Sequence, residues 1–222
     1  MQARTSISSA ILDLDGTLVD TIGDFTHALN AMLGDLGLAH VTSLDVEPLV
    51  GRGSEHLIAS ILELRGANLK SDDLAWGAYQ RHYRSINGQF ARVYPGVDEG
   101  LDALRAMGLR LACLTNKPTD FARQLLERMR LASHFDFVFG GDAFERKKPD
   151  AIPVLKTCES LGSLPAHTLV VGDSVNDAAA ARAAGCPVVL VTYGYNHGKP
   201  VRGVDADWFL DSIGQVPGWL RG

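Results

Sequence analysis

Asp13 and Asp15 stand one residue apart in "ILDLDGTLVDT", where an apolar run ends. Each acid raises the cost of ionising the other, so such a pair on the rim of a hydrophobic sheet calls for a compensating charge. A second pair, Asp173 and Asp177, follows another apolar run in "HTLVVGDSVND". As many as four carboxylates gathered at one rim repel one another unless a cation holds them, and oxygen ligands suit a hard ion such as Mg²⁺. Groups of opposite character lie between the two pairs. "LTNKP" offers the Thr115 hydroxyl and loop amides ahead of a helix, which makes an anion site. "RKKPD" places Lys147 and Lys148 in a loop. Acids with a metal, a hydroxyl, amides and a lysine on one rim describe a phosphoryl-transfer site.

Plainer readings compete with each cluster. An isolated DxDG is often only a turn. A calcium loop starting at Asp13 would need Gly at its sixth position and Glu at its twelfth, whereas the chain has Leu18 and Asp24 there. Ser174 or Asp173 can cap the helix "VNDAAAARAA", which is compatible with metal binding by a neighbour. Loop lysines are usually solvated charges.

Positioning these groups requires a sheet. Four apolar runs, "AILDLDGT", "LRLACLTNK", "HTLVVGDS" and "PVVLVTYG", each stop at a polar cluster and read as buried strands followed by loops. Helical segments, among them Asp98 to Met107, Thr119 to Met129 and Ala178 to Ala184, alternate with them. The fold class is therefore α/β, a doubly wound parallel-sheet, Rossmann-like core. Ligands of such sheets bind beyond the carboxyl ends of the strands, where all four polar clusters fall. Residues 21–94 differ, because "FTHALNAMLGDLGL", "EHLIASILELRG" and "DLAWGAYQRHYRSI" show helical periodicity and no convincing strand. They read as an inserted all-helical cap domain, with residues 1–20 and 95–222 forming the α/β catalytic core. Short connections at its ends would let the cap hinge as a lid. The tail "VPGWLRG" reads as a loosely attached terminus, with Trp208 and Trp219 able to pack on the core.

The 222 residues are 46% hydrophobic, enough for a real core, and a formal charge of −5 comes from interspersed acids and bases. A basic groove for nucleic acid and a polybasic membrane patch are both excluded. Cys113, Cys158 and Cys186 are far apart and lack CxxC spacing, against a disulfide framework or zinc knuckle; Cys113 and Cys186 read as core residues. No segment approaches the length of a membrane span, which points to a cytoplasmic protein, a monomer or homodimer whose partner is a small-molecule phosphate ester.

"DLDGTLVDT", "LTNK", "KKPD" and "GDSVND" appear in the order and approximate spacing of the four motifs of the haloacid dehalogenase-like hydrolase superfamily. The helical insertion after the first motif resembles that superfamily's C1-type cap. Within the superfamily, "GGDAFERKKPD" and "VTYGYNHG" are similar to bacterial phosphoglycolate phosphatases. The resemblance implies that Asp13 is the nucleophile that becomes an aspartyl-phosphate and that Asp15 is the acid and base. It implies Mg²⁺ held by the Asp13 side chain, the Asp15 carbonyl and Asp173. Thr115 and the Asn116 amide would bind phosphoryl oxygens, and Lys148 would bridge nucleophile and phosphate while Lys147 is solvated. Asp177 and Ser174 stand behind these groups, Asp177 orienting Lys148 or a metal-bound water.

Asp15 favours phosphate esters over the dehalogenase branch, which places no acid at that position because a halide leaving group needs no proton. The phosphonatase branch needs a cap lysine, and only Lys70 is available. A sugar-phosphate or nucleotide phosphatase, a β-phosphoglucomutase-like phosphomutase, and a non-catalytic phosphate-ligand-binding protein remain as alternatives. In "VGRGSEHL", Gly51 and Gly53 permit close backbone approach and Arg52 could pair with a substrate carboxylate, as in 2-phosphoglycolate, or could equally be a solvent-facing charge. Ala151 stands where the family often has Pro.

Overall fold

The apolar runs become strands because their alternate side chains are buried on both faces of one sheet. The computed structural model describes residues 7–67 and 73–222. In chain order its strands are β1 (Ser9–Leu12), β2 (Val19–Asp20), β3 (Arg92–Val93), β4 (Arg110–Leu114), β5 (Phe137–Phe139), β6 (Thr168–Gly172), β7 (Val188–Val191) and β8 (Trp208–Leu210). Six of them form a sheet in the order β5-β4-β1-β6-β7-β8, with every neighbouring pair parallel. Ala10 and Leu12 of β1, Leu111 and Cys113 of β4 and Leu169 and Val171 of β6 enter one hydrophobic cluster. Ile11, Ala112, Leu114 and Val170 enter the cluster on the opposite face. The four expected strands are β1, β4, β6 and β7. The edge strands β5 and β8 were not evident, because each is an apolar stretch of only three residues and is partly exposed.

The helices are α1 (Ile22–Asp35), α2 (Ser43–Val46), α3 (Ser54–Leu64), α4 (Asp73–Ile86), α5 (Val97–Ala106), α6 (Thr119–Arg128), α7 (Ile152–Leu161), α8 (Val175–Ala184) and α9 (Val216–Arg221). In α8 the buried alanines Ala178, Ala181 and Ala184 let the helix lie close to the sheet. Helices α1 to α4 gather a cluster of their own. Phe25, Ala28, Leu29, Met32 and Leu33 make the buried stripe of α1, which meets Ile58 and Ile61 of α3 and Tyr79 and Tyr83 of α4.

Two expectations change. Residues 21–94 do contain a strand, because β3 pairs antiparallel with β2, Val19 opposite Val93 and Asp20 opposite Arg92. This two-stranded ribbon joins the helical segment to the core at both of its ends. The C-terminal tail is not loose: α9 buries Val216, and Trp219 packs against the main core cluster, while Trp208 lies on edge strand β8 and is mostly exposed. Cys113 and Cys186 are buried, as expected of core residues, and Cys158 is buried as well; all three are free, and Cys158 and Cys186 bring their sulfurs to 3.9 Å. Lys70 falls outside the described residues. Among those residues no helix is long and apolar enough to cross a membrane.

Candidate active site

The central strand β1 has β4 on one side and β6 on the other, so the chain reverses its winding direction there and opens a crevice beyond the strand ends. Asp13 directly follows β1, Thr115 follows β4 and Asp173 follows β6, which brings three of the four sequence clusters together. The Asp13 amide donates to Val171 O at 2.9 Å, fixing the start of the loop on β6. Gly16 then turns it with φ 84°, and a Cβ there would lie 2.6 Å from Asp173 Oδ2. Only glycine gives both that backbone conformation and that approach.

The two opening acids take different partners. Asp13 Oδ1 lies 2.9 Å from Lys148 Nζ, whereas Asp15 Oδ1 accepts a hydrogen bond from Lys117 Nζ at 2.7 Å. Lys148 also donates to Asp177 Oδ1 at 2.6 Å and to Leu114 O at 2.8 Å, whereas its contact with Asp13 is an ion pair that leaves Asp13 Oδ1 buried without a hydrogen-bond partner. Burial works against the Lys148 ammonium, but Asp13 and Asp177 more than offset it and hold its pKa above the usual lysine value. Asp177 is fixed in turn: its Oδ2 accepts from Ser174 Oγ at 2.6 Å and from the Ser174 amide at 3.2 Å. Ser174 is thus both the N-cap of α8 and the anchor of Asp177.

Asp173 is buried, with Oδ1 accepting from Thr17 Oγ1 at 3.0 Å and Oδ2 from the Tyr195 amide at 2.7 Å. Burial, reinforced by Asp177 and Asp13, pushes its pKa well above the carboxylate range. Burial likewise pushes Asp13 up to about 7, with Asp177 adding to the shift and Lys148 opposing it. Carboxylates placed so that ionisation is unfavourable fit a site completed by a cation. One carboxylate oxygen each from Asp13, Asp173 and Asp177 lie within 4.8 Å of one another. Four site carboxylates face the ammoniums of Lys117 and Lys148, leaving two negative charges with every group ionised. All-oxygen donors and a deficit of two positive charges fit a hard divalent ion. The Asp15 carboxylate is not among those oxygens and points to Lys117 instead.

Thr115 is buried, its amide donating to Phe139 O at 3.0 Å and its hydroxyl accepting from the Lys117 amide at 3.2 Å. The Asn116 side chain has a structural task. Its Oδ1 accepts from the Lys148 amide at 3.0 Å, and its Nδ2 donates to Lys148 O at 2.8 Å and to Gly51 O at 2.9 Å. Asn176 Nδ2 reaches the same Gly51 carbonyl at 3.0 Å, so two core amides hold the loop before α3 over the site. Gly51 and Gly53 line the pocket with Asp13, Asp15, Phe25, Val50, Leu57, Thr115 and Lys117. Its free volume is about 30 Å³, room for only a water or two. Arg52 does not line it; the side chain is exposed, on the side where its charge bears on His56 and His197. Lys147 is half-exposed rather than freely solvated, its Nζ 3.0 Å from Glu55 Oε2 of α3.

Tyr193 and Tyr195 brace the first loop: Tyr193 donates to Thr17 O at 2.7 Å, and the Tyr195 hydroxyl donates to Asp20 Oδ1 and accepts from the Thr21 amide, both at 2.8 Å. Sequence reasoning missed Thr17 and Lys117. Lys117 stood in "LTNKP", but its burial depends on the distant rings of Phe25 and Tyr83, which no local pattern announces.

Comparison with known proteins extends this geometry. A model of the family described as haloacid dehalogenase-like hydrolase matches residues 10–191. A phosphoglycolate phosphatase of Nitrosospira multiformis is 43% identical over 210 residues, covering 93% of this chain and 92% of that protein. One from Thiobacillus denitrificans is 40% identical over 215 residues, covering 95% and 94%. The crystal structure of a predicted phosphoglycolate phosphatase from Haemophilus somnus 129pt superposes with a TM-score of 0.90 at 31% identity, covering 98% and 99% of the two chains.

Proposed function

The chain belongs to the haloacid dehalogenase-like hydrolases, and from that membership and the site's geometry we propose that it is a Mg²⁺-dependent phosphatase of small anionic phosphomonoesters, with 2-phosphoglycolate the preferred substrate. The observation that carries this reading is the division of labour between the two acids. Asp13 lies against Lys148 and the carboxylate cluster, and Asp15 is turned away from that cluster to Lys117.

A carboxylate oxygen of Asp13 attacks phosphorus, forming an aspartyl-phosphate as the bond to the leaving oxygen breaks. Asp15 delivers a proton to that oxygen and later takes one from the water that attacks the aspartyl-phosphate, releasing phosphate and restoring both acids. Lys148 neutralises charge between the nucleophile and the phosphoryl oxygens, and the Thr115 hydroxyl with the Asn116 amide ahead of α6 binds the remaining oxygens. The Asp13 and Asp173 carboxylates and the Asp15 carbonyl would hold the Mg²⁺, which supplies charge neutralisation at the phosphoryl group. Asp177 holds Lys148 in place, and Ser174 holds Asp177.

Residues 21–94 form the cap, hinged at the β2–β3 ribbon; the cap swings away to admit an ester, since the pocket as it stands holds only a water or two, and Val50 and Leu57 then close over a short leaving group. A phosphate-release screen over 2-phosphoglycolate, sugar phosphates, nucleotides and pyrophosphate, with Mg²⁺ and with chelator, tests this. The expected result is a strong preference for 2-phosphoglycolate that chelation abolishes. Preference for a neutral sugar phosphate would refute the substrate reading, and full activity in chelator would refute the metal.

A further inference from the structure

The chemistry above gives no task to Lys117. Its side chain is 2% exposed, with Nζ 2.7 Å from Asp15 Oδ1 and 4.4 and 5.0 Å from the ring centroids of Phe25 and Tyr83. A buried ammonium is costly unless it is paired, and the ring faces and Asp15 supply part of that pairing. An ammonium carries three N–H donors, however, and Asp15 is its one hydrogen-bond acceptor among the described residues. The remaining donors sit in the wall of the pocket, where Lys117 is the only cation among the lining residues. Phe25, which packs on Lys117 itself, Val50 and Leu57 make the apolar part of the lining, and Ser54 at the start of α3 is the one polar side chain that residues 21–94 add to it.

We propose that Lys117, and not Arg52, binds the carboxylate on the leaving group of the substrate and so selects carboxylate-bearing phosphomonoesters. This deepens the function proposed above and rests on it. In a phosphoester whose carboxylate is one carbon from the ester oxygen, the carboxylate and the leaving oxygen lie close together. One ammonium between Asp15 and that carboxylate then brings the proton donor to the oxygen that needs it. A longer leaving group would carry its carboxylate past Lys117, and a sugar would have to displace Val50 and Leu57. Arg52, exposed and outside the pocket, is in no position for this contact.

The test compares 2-phosphoglycolate with ethyl phosphate, of similar length and without the carboxylate, in the wild type and in Lys117→Met, which keeps an apolar stem among the rings. Losing Asp15's partner lowers kcat/KM on both substrates, so the readout is the ratio. Lys117→Met is expected to lower kcat/KM for 2-phosphoglycolate about 30-fold more than for ethyl phosphate, or about 2 kcal/mol of discrimination. Inhibition by phosphonoacetate should weaken by a similar factor while inhibition by inorganic phosphate stays within about threefold, which also reports an intact fold. Lys117→Gln carries the same ratio if Lys117→Met does not fold. An equal loss on both substrates, with phosphonoacetate inhibition unchanged, would overturn the proposal and leave Lys117 as a group that only positions Asp15. A wild type without preference for 2-phosphoglycolate over ethyl phosphate would overturn the substrate reading and this inference with it. A wild-type preference that survives in the variant overturns this inference alone.

Discussion

Removing the Lys148 ammonium while keeping its stem, as in Lys148→Met, leaves Asp13 and Asp177 buried together without their shared cation. Three contacts go at once: Asp13 Oδ1 at 2.9 Å, Asp177 Oδ1 at 2.6 Å and Leu114 O at 2.8 Å, around a side chain only 4% exposed. Breaking a buried ion pair by deleting one partner costs about 3–5 kcal/mol, because the surviving charge is uncompensated. For a chain of this length each kcal/mol moves Tm by about 2–4 °C, so the metal-free variant should melt about 10 °C lower near pH 7.5. The loss depends on pH in a defined direction. The Lys148 pKa is raised in the fold, so its contribution is fully present below about pH 10 and does not vary near neutrality. Asp13, with a folded pKa raised to about 7, binds protons more tightly folded than unfolded, so stability falls as pH rises between about 4 and 7. Without Lys148 that pKa rises further, the acid stays neutral to higher pH, and the deficit is smaller by up to about 1 kcal/mol near pH 5, where Asp13 is neutral with or without the lysine. Scanning calorimetry in chelator at both pH values measures this. A Tm within about 2 °C of wild type near pH 7.5, or a deficit as large near pH 5, would refute the reasoning.

Asp15→Asn should cost about 10²–10⁴ in kcat/KM for 2-phosphoglycolate, whose leaving alkoxide needs a proton, and far less for p-nitrophenyl phosphate, whose leaving group does not, since kcat/KM excludes the later hydrolysis that both substrates share. Equal losses in kcat/KM would remove the proton-donor role. Gly194→Ala places a methyl group against the Asp173 side chain and is expected to cost about 1–3 kcal/mol and to weaken Mg²⁺ binding. Thermal unfolding and calorimetric titration check the two effects, and unchanged Mg²⁺ affinity would mean that Asp173 is not held by that close approach.

The central strands and the acids at their ends were legible because burial on both faces writes a continuous apolar run, and the polar residue that stops it marks the sheet edge. Strands β5 and β8 left no such mark, since three apolar residues in a row are too short to tell an edge strand from a loop. Residue type and order put Asp13, Thr115, Asp173 and Asp177 at strand ends, and the structure brings them together with Lys148. Their separate tasks came only from the family resemblance, because a task depends on which neighbour each residue meets in three dimensions. Asn116 illustrates this: its side chain joins Gly51 to Lys148, residues far apart in sequence. Lys117 and Arg52 show the same limit. Nothing local in "LTNKP" announces that Lys117 is buried by the aromatic rings of α1 and α4, and "VGRGSEHL" leaves open whether Arg52 is a ligand or the exposed charge it is in the structure.

The account stands or falls on Asp13 carrying the phosphoryl group. Quenching the wild-type protein during turnover of 2-phosphoglycolate with Mg²⁺, reducing with borohydride and sequencing the peptides by mass spectrometry tests this directly. The prediction is conversion of Asp13, and of no other carboxylate, to homoserine, and its loss when substrate is omitted. An unmodified Asp13 during sustained phosphate release, or modification at another acid, would contradict it.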